Sequence, residues 1–250
     1  MLKVSLISDT HTKHNQITTS KSFRNSKQQL DLPGGDILIH AGDFMSTGYH
    51  KAEAVGFFEW FDSIDNYDTK IFIAGNHDRI FEDNPQWAQG FLTGYKTIEY
   101  LQDEEVVLYF DGPNGDYPEE NVRIYGSPWQ PEFYSWAFNL PKNGIELAGK
   151  WEAIPDNTDI LITHGPAFGT LDTVAGRPWD NLGCELLAQR INQIRPKIHI
   201  CGHIHSGRGY EFKNGIHFFN AAVLDEQYEY TQKPMTFDWD KDTNTIEFVK

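Results

Sequence analysis

The chain reads as an α/β fold, a two-sheet β-sandwich flanked by helices, and three features of the sequence predict it. Five short apolar runs, Val4 to Ile7, Ile37 to Ile39, Ile71 to Ala74, Ile160 to Ile162 and Ile198 to Cys201, have the length and character of buried strands. Each run ends on His, Asp or Asn residues, and in α/β sheets sites form outside the carboxyl ends of the strands. Between and after these runs the hydrophobic period switches to helical and back to strand-like.

Taken in order, Val4 to Ile7 leads into Ser8-Asp9-Thr10-His11, and Ile37 to Ile39 leads into Ala41-Gly42-Asp43. Thr12 to Leu30 lies between them, rich in Ser, Asn, Gln and Lys, and reads as a polar surface excursion. Ala52, Val55, Phe58 and Phe61 recur at helical spacing and predict a crossover helix. Ile71 to Ala74 then runs into Gly75-Asn76-His77-Asp78. Val106 to Phe110 and Val122 to Tyr125 predict short strands on either side of the turn-rich stretch Asp111 to Asp116. Ile160 to Ile162 ends at Thr163-His164-Gly165. Leu187, Ile191 and Ile194 predict a second helix, stopped by Pro196, and Ile198 to Cys201 leads into Gly202-His203-Ile204-His205. Ile216 to Phe219, Met235 to Trp239 and Ile246 to Val249 complete the strand-like segments.

A length of 250 residues favours one layered domain over residues 1–250. No stretch approaches the roughly 18 apolar residues that a membrane span requires, so no membrane partner is expected. The strand at Leu2 to Ile7 runs straight into the first motif, and no disposable leader is expected. Two cysteines, Cys184 and Cys201, are too few for a disulfide framework and suit the reducing cytoplasm. The formal net charge of −15 argues against a partner such as long nucleic acid, whose binding needs Lys and Arg to neutralise phosphates. A small anionic substrate held through divalent cations remains compatible with an acidic surface.

Five of the ten histidines, His11, His77, His164, His203 and His205, fall at strand ends with Asp9, Asp43 and Asn76. Imidazole with carboxylate and amide oxygen suits manganese, iron, zinc or a related ion. Asp9 and His11 are two residues apart, as are His203 and His205, which lets both side chains of a pair reach one site. So many ligands exceed the need of one ion and fit two divalent metal ions bridged by a carboxylate, an arrangement recurrent in phosphoryl chemistry.

The order Asp-x-His, Gly-Asp, Gly-Asn-His-Asp, His-Gly and Gly-His-x-His, spanning residues 8 to 205, resembles the calcineurin-like metallophosphoesterases. Leu32 to Asp43 and Gly126 to Phe133 resemble the metallophosphoesterase-domain branch of that superfamily. The resemblance implies a four-layer α/β/β/α fold with a dinuclear site at the carboxyl ends of the strands. It implies that Asp9, His11 and His205 hold one ion, that Asn76, His164 and His203 hold the other, and that Asp43 bridges them. It further implies hydrolysis of a phosphodiester, such as a cyclic or other small nucleotide, by a metal-bridging hydroxide. His77 is then a catalytic residue facing the substrate, with Asp78 orienting it. Some animal members of the branch carry glycine in place of the first histidine of Gly-His-x-His; this chain keeps His203.

Two alternatives accompany this reading: a phosphomonoesterase, and a nucleotide-binding sensor or scaffold with weak hydrolysis. Gly42-Asp43 is followed by Phe44-Met45-Ser46, without the Gly-Asp-x-x-Asp-Arg-Gly string of protein phosphatases. Arg208 is a candidate phosphate contact, since guanidinium matches that geometry, against the plainer reading of an exposed loop arginine. His14, His40, His50, His199 and His217 read as structural, and Cys184 and Cys201 as inert buried thiols. Trp129, Phe133, Trp136 and Phe138 read as core packing in preference to an aromatic wall for a base. Thr12 to Leu30 and Phe168 to Leu182 are candidate rims of the site.

Overall fold

The apolar run after Met1 becomes the third strand of a six-stranded sheet, buried from Val4 to Ile7. A computed structural model describes residues 1–19, 30–110 and 120–249. In chain order its elements are β1 (Leu2–Ile7), β2 (Gly35–His40), α1 (Lys51–Ser63), β3 (Tyr67–Phe72), α2 (Ile80–Asp83), α3 (Pro85–Leu92), β4 (Ile98–Tyr100) and β5 (Glu104–Phe110). There follow β6 (Glu120–Ser127), β7 (Gln130–Pro131), β8 (Asn139–Leu140), α4 (Ile145–Glu152), β9 (Ile160–Thr163), β10 (Thr173–Val174), β11 (Arg177–Asn181) and α5 (Glu185–Ile194). The last are β12 (Ile198–Cys201), β13 (Gly209–Lys213), β14 (Ile216–Asn220), β15 (Met235–Asp240) and β16 (Thr245–Phe248).

One sheet runs β16-β15-β1-β2-β3-β4, and the other β13-β14-β12-β9-β6-β5. In the first, β1 to β4 are mutually parallel and β15 lies antiparallel to β1. In the second, β6, β9, β12 and β14 are parallel, edged by antiparallel β5 and β13. Successive strand side chains point to opposite faces, so each sheet has two apolar faces to cover. Val4, Leu6, Ile37, Ile39 and Ile71 of the first sheet pack against Ile124, Ile160, Ile162, Ile198 and Ile200 of the second. Phe57, Phe58 and Phe61 of α1 and Phe81 of α2 cover the outer face of the first sheet through Leu38 and Phe72. Leu147 and Trp151 of α4 and Leu187 and Ile191 of α5 cover the second through Tyr125 and Leu161. The layers are therefore α/β/β/α, as the resemblance implied.

The five strands that end on candidate ligands divide between the sheets: β1, β2 and β3 belong to one, β9 and β12 to the other. Two local expectations differ from what is found. The buried residues of α1 are Ala54, Phe57, Phe58, Trp60 and Phe61; Ala52 is exposed and Val55 half-buried, because the aromatic residues dictate which face turns inward. The start of the predicted surface excursion is anchored, with His14, Ile17 and Thr19 buried. Its residues 20–29 and the turn stretch 111–116 lie outside the described residues. Among the described residues no helix is long and apolar enough to cross a membrane.

Candidate active site

The hydrogen-bond ladder between β1 and β2 continues past both strands and sets the first two motifs side by side. Asp9 N–H donates to Gly42 O at 2.9 Å, His11 N–H to Asp43 O at 3.0 Å and Thr12 N–H to Phe44 O at 2.9 Å. Following this path forces left-handed backbone on residues other than glycine: Asp9 at φ +54°, His11 at +38° and Asp43 at +59°. His203, just beyond β12, sits at +67°. Such conformations cost free energy and persist where the surroundings over-determine them, as at functional sites. The two sheets are tied here as well, since His203 N–H donates to both Asp9 carboxylate oxygens at 3.0 Å, while Gly202 N–H donates to His164 O at 2.9 Å within the second sheet.

Two motif glycines allow the close approach. A Cβ on Gly75 would lie 2.3 Å from Asp43 Oδ1, and one on Gly202 would lie 2.1 Å from Asp9 Oδ2 and from Ser8 Oγ.

All seven residues predicted as ligands meet at this end of the sandwich. Nitrogen or oxygen atoms of Asp9, His11 and His205 lie within 4.8 Å of one another, as do those of Asp43, His164 and His203. His164 Nε2 is 3.0 Å from Asn76 Oδ1 and 3.3 Å from Asp43 Oδ2. His205 Nε2 is 3.5 Å from Asp9 Oδ1, and His11 Nε2 is 3.8 Å from Asp43 Oδ2. Asp43 belongs to two of the close groups, one of which also contains His11 and His77.

These donors fit metal cations, and the reason lies on the far side of the rings. Nδ1 of His11, His164 and His205 faces a backbone carbonyl, that of Met45 at 3.1 Å, Ala41 at 2.9 Å and Asp225 at 2.8 Å. A carbonyl only accepts, so each Nδ1 carries the proton and each Nε2 is directed inward, the pattern that orients ligating imidazoles. His11 Nε2 is buried with no hydrogen-bond partner among the described residues.

The carboxylates and imidazoles of the cage shift one another. Burial opposes ionisation of Asp9, yet its hydrogen bond and charge interaction with His205 hold its carboxyl below the usual range. Asp43 is likewise held well below the ordinary value, burial being outweighed by His164 and His77. Burial works to lower His164 and His205, but Asp43 and Asp9 respectively raise each to about 9. Burial lowers His11 to about 4 and His203 to about 3. Cation binding competes with the protons on His164 and His205, because an imidazole must be neutral to ligate.

His77 borders the cage. Its N–H donates to Asp43 Oδ1 at 2.7 Å, its Nδ1 lies 2.5 Å from Ser46 O, and its ring stacks on Trp136 with centroids 4.0 Å apart. Asp78 does not orient it, which corrects the expectation. The Asp78 carboxylate instead accepts backbone N–H groups of Asp43, Gly75 and Met45 at 2.7–2.8 Å, fastening the two loops together. Burial and the Asp43 charge raise the Asp78 pKa, while these N–H donors act in the opposite sense.

Arg208 fits neither of its readings. It is half-buried, donates from Nη2 to Lys233 O at 2.5 Å and does not line the cavity, because the chain after His205 turns away into β13. The aromatic group divides. Phe138 is buried and Trp129 packs beside it, whereas Phe133 and Trp136 reach the site. His40 is a buried link: it accepts Gly42 N–H at Nδ1 (3.2 Å) and faces Thr10 Oγ1 from Nε2 (3.0 Å).

The cage floors a cavity of about 420 Å³ whose walls include Phe133, Pro166, Val174, Leu182, Ile204 and Tyr228. Val174 and Leu182 fall in the predicted rim Phe168 to Leu182; none of residues 12–19 reaches the cavity. Sequence reasoning missed Tyr228, whose ring lies 4.9 Å from that of His11 and 5.3 Å from that of His205. It also missed Asn220, whose Nδ2 donates to Gly202 O and Ile204 O and so shapes the Gly202 to His205 loop. Tyr228 stands in no motif and no periodicity marks it, whereas Asn220 directly follows the apolar run Ile216 to Phe219 and carried the strand-end signal that could have found it.

Comparisons with known proteins agree with the geometry. The calcineurin-like phosphoesterase family model matches residues 2–207. The chain is 36% identical to metallophosphoesterase domain-containing protein 1 of Homo sapiens, over 93% of this chain and 69% of that protein. It is 31% identical to UPF0046 protein C25E10.12 of Caenorhabditis elegans, over 93% of this chain and 79% of that one. The crystal structure of TT1561 of Thermus thermophilus has the same fold, with a TM-score of 0.61 at 12% identity over 99% of this chain and 98% of that one. The chain thus belongs to the calcineurin-like phosphoesterase family, whose members are metal-dependent phosphoester hydrolases.

Proposed function

We propose that this chain hydrolyses small phosphodiesters, cyclic or other small nucleotides among them, with two divalent cations. Asp9, His11 and His205 would hold one cation, Asn76, His164 and His203 the other, with Asp43 between them. The observation that carries the reading is the joining of this cage to a mostly apolar cavity. An organic group on each side of the phosphate suits such walls better than the bare dianion of a monoester.

Cations held in the cage would supply Lewis-acid polarisation of the phosphoryl oxygens and would lower the pKa of water enough to give a nucleophile near neutral pH. The mixed imidazole, carboxylate and amide donor set suits manganese, iron or zinc. The protein's own contribution is orientation. Three carbonyls fix the cage imidazoles, and the Asp78 bonds fix the loop bearing Asp43. With Nδ1–H turned to Ser46 O, His77 leaves Nε2 for the cavity, where the protonated ring would stabilise a phosphoryl oxygen or give a proton to the leaving oxygen. Phe133 and Ile204 line the space for the ester's organic part. The buried free thiols Cys184 and Cys201 support a cytoplasmic location.

The deciding experiment reconstitutes purified protein separately with manganese, iron, zinc and magnesium. Cyclic nucleotides, bis-aryl phosphates and monoesters are then offered to each form. Metal-dependent turnover of diesters ahead of monoesters supports the proposal. Tight mononucleotide binding with background hydrolysis of the whole panel would replace it with the sensor reading.

A further inference from the structure

We propose that Tyr228 is a further catalytic residue, its phenol donating a hydrogen bond to the substrate's phosphoryl group on the side of the cage formed by Asp9, His11 and His205. The inference rests on the phosphoesterase reading of that cage.

Tyr228 is held at the site by its backbone as well as its ring. Its φ of +59° is a left-handed conformation that a bulky side chain rarely adopts. The turn that enforces it is built on Asp225. Asp225 Oδ1 accepts the N–H groups of Gln227 at 3.0 Å and Glu229 at 2.9 Å, while Asp225 O accepts Tyr228 N–H at 2.9 Å. That carbonyl is the one facing His205 Nδ1 at 2.8 Å. One oxygen therefore registers the strained tyrosine against an imidazole of the cage. Lys13 Nζ clamps the turn from outside by donating to Tyr228 O.

The ring sits edge-on to both His11 and His205, at interplanar angles of 75°, and lines the cavity. Among the described residues that line the cavity, Lys142 is the only lysine or arginine, so neutral side chains share in meeting an anionic ester. A phenol is a neutral donor below its ordinary pKa of about 10, and it can hydrogen-bond a phosphoryl oxygen without adding a charge beside the cage. Backbone strain that places one side chain between two imidazoles and an open cavity is the pattern found where a group must meet a ligand.

The test compares Tyr228→Phe and Tyr228→Ala with the wild type, all reconstituted with manganese. Metal content, unfolding temperature, calorimetric binding of inorganic phosphate and turnover of a bis-aryl phosphate are measured. Tyr228→Phe keeps the ring, so metal content and unfolding should be unchanged. Phosphate binding and kcat/KM should each fall by about 10- to 100-fold, the range for a lost hydrogen bond to a charged group. Tyr228→Ala should be no worse in phosphate binding than Tyr228→Phe. A Tyr228→Phe protein within twofold of wild type in both measurements overturns the proposal and leaves ring packing as the role. Loss of metal from Tyr228→Phe overturns it too. If the wild type hydrolyses no diester, the functional reading fails by itself and phosphate binding still decides for Tyr228. A wild type that binds no phosphate rejects it.

Discussion

Asp78 Oδ2 accepts the backbone N–H of Asp43 at 2.8 Å, and the same oxygen takes Gly75 N–H at 2.7 Å while Oδ1 takes Met45 N–H at 2.8 Å. The loop after β2 and the loop after β3 are thereby fixed by one buried carboxylate that need not touch substrate. Asp78→Ala leaves three buried donors unpaired and should cost on the order of 3 kcal/mol or more. Asp78→Asn keeps one carbonyl oxygen and should cost less. Urea unfolding with parallel metal analysis checks this, and equal midpoints for Asp78→Ala and wild type would refute the role.

Gly202 stands where any side chain would enter the Asp9 carboxylate. Gly202→Ala should displace Asp9 or the loop bearing His203 and His205, lowering metal content and reducing turnover at least tenfold. Gly149, whose added Cβ would meet nothing within 4 Å, is the control, and Gly149→Ala should leave both properties unchanged. Normal metal content in Gly202→Ala would show that the loop has room to move.

Asp43 and His77 should separate by what each variant loses. Asp43→Ala removes the carboxylate shared by two of the close groups and should abolish metal-dependent turnover together with metal binding. His77→Ala should retain most of the metal and lose about 10²-fold or more in turnover, the range of a general acid. Metal loss from His77→Ala would make it a ligand. Chelation of the wild type should lower its unfolding temperature, since a cation bound only by the folded state stabilises that state.

Stability should fall in mild acid. Burial holds His14 at about 4 and His199 at about 3, against roughly 6.5 in the unfolded chain. His199 is buried neutral: Thr163 Oγ1 donates to Gly165 O, so its oxygen receives the His199 Nε2 proton at 2.8 Å. Below pH 6.5 the unfolded chain takes up protons that the folded one refuses. The stability present above pH 6.5 is therefore lost as pH falls, to about 4 for His14 and about 3 for His199, at about 1.4 kcal/mol per unit and group. Thermal unfolding from pH 7.5 to 5 should show the decline, with a shallower slope in His199→Gln. Identical slopes would show that His199 does not contribute.

Seven candidate ligand residues, each shortly after an apolar strand, and the sandwich that carries them were legible in the chain and in its family resemblance. A strand and the residues that leave it are neighbours in sequence, so periodicity and motif lie in one window. Packing between distant segments set the rest. His203 N–H meets Asp9 across 194 positions, so the division of the ligands between two sheets has no local signature. Asp78 was placed beside His77 by adjacency, but the left-handed turn at Asp43 brings two N–H groups to it, Gly75 of its own loop adds a third, and His77 is left to Ser46 and Trp136. Tyr228 stands 23 residues past His205 in a polar stretch, and it enters the site only because β14 returns beside β12 and the Asp225 carbonyl joins it to His205. A strand end announces which atoms are offered; the packing of two sheets determines which of them meet.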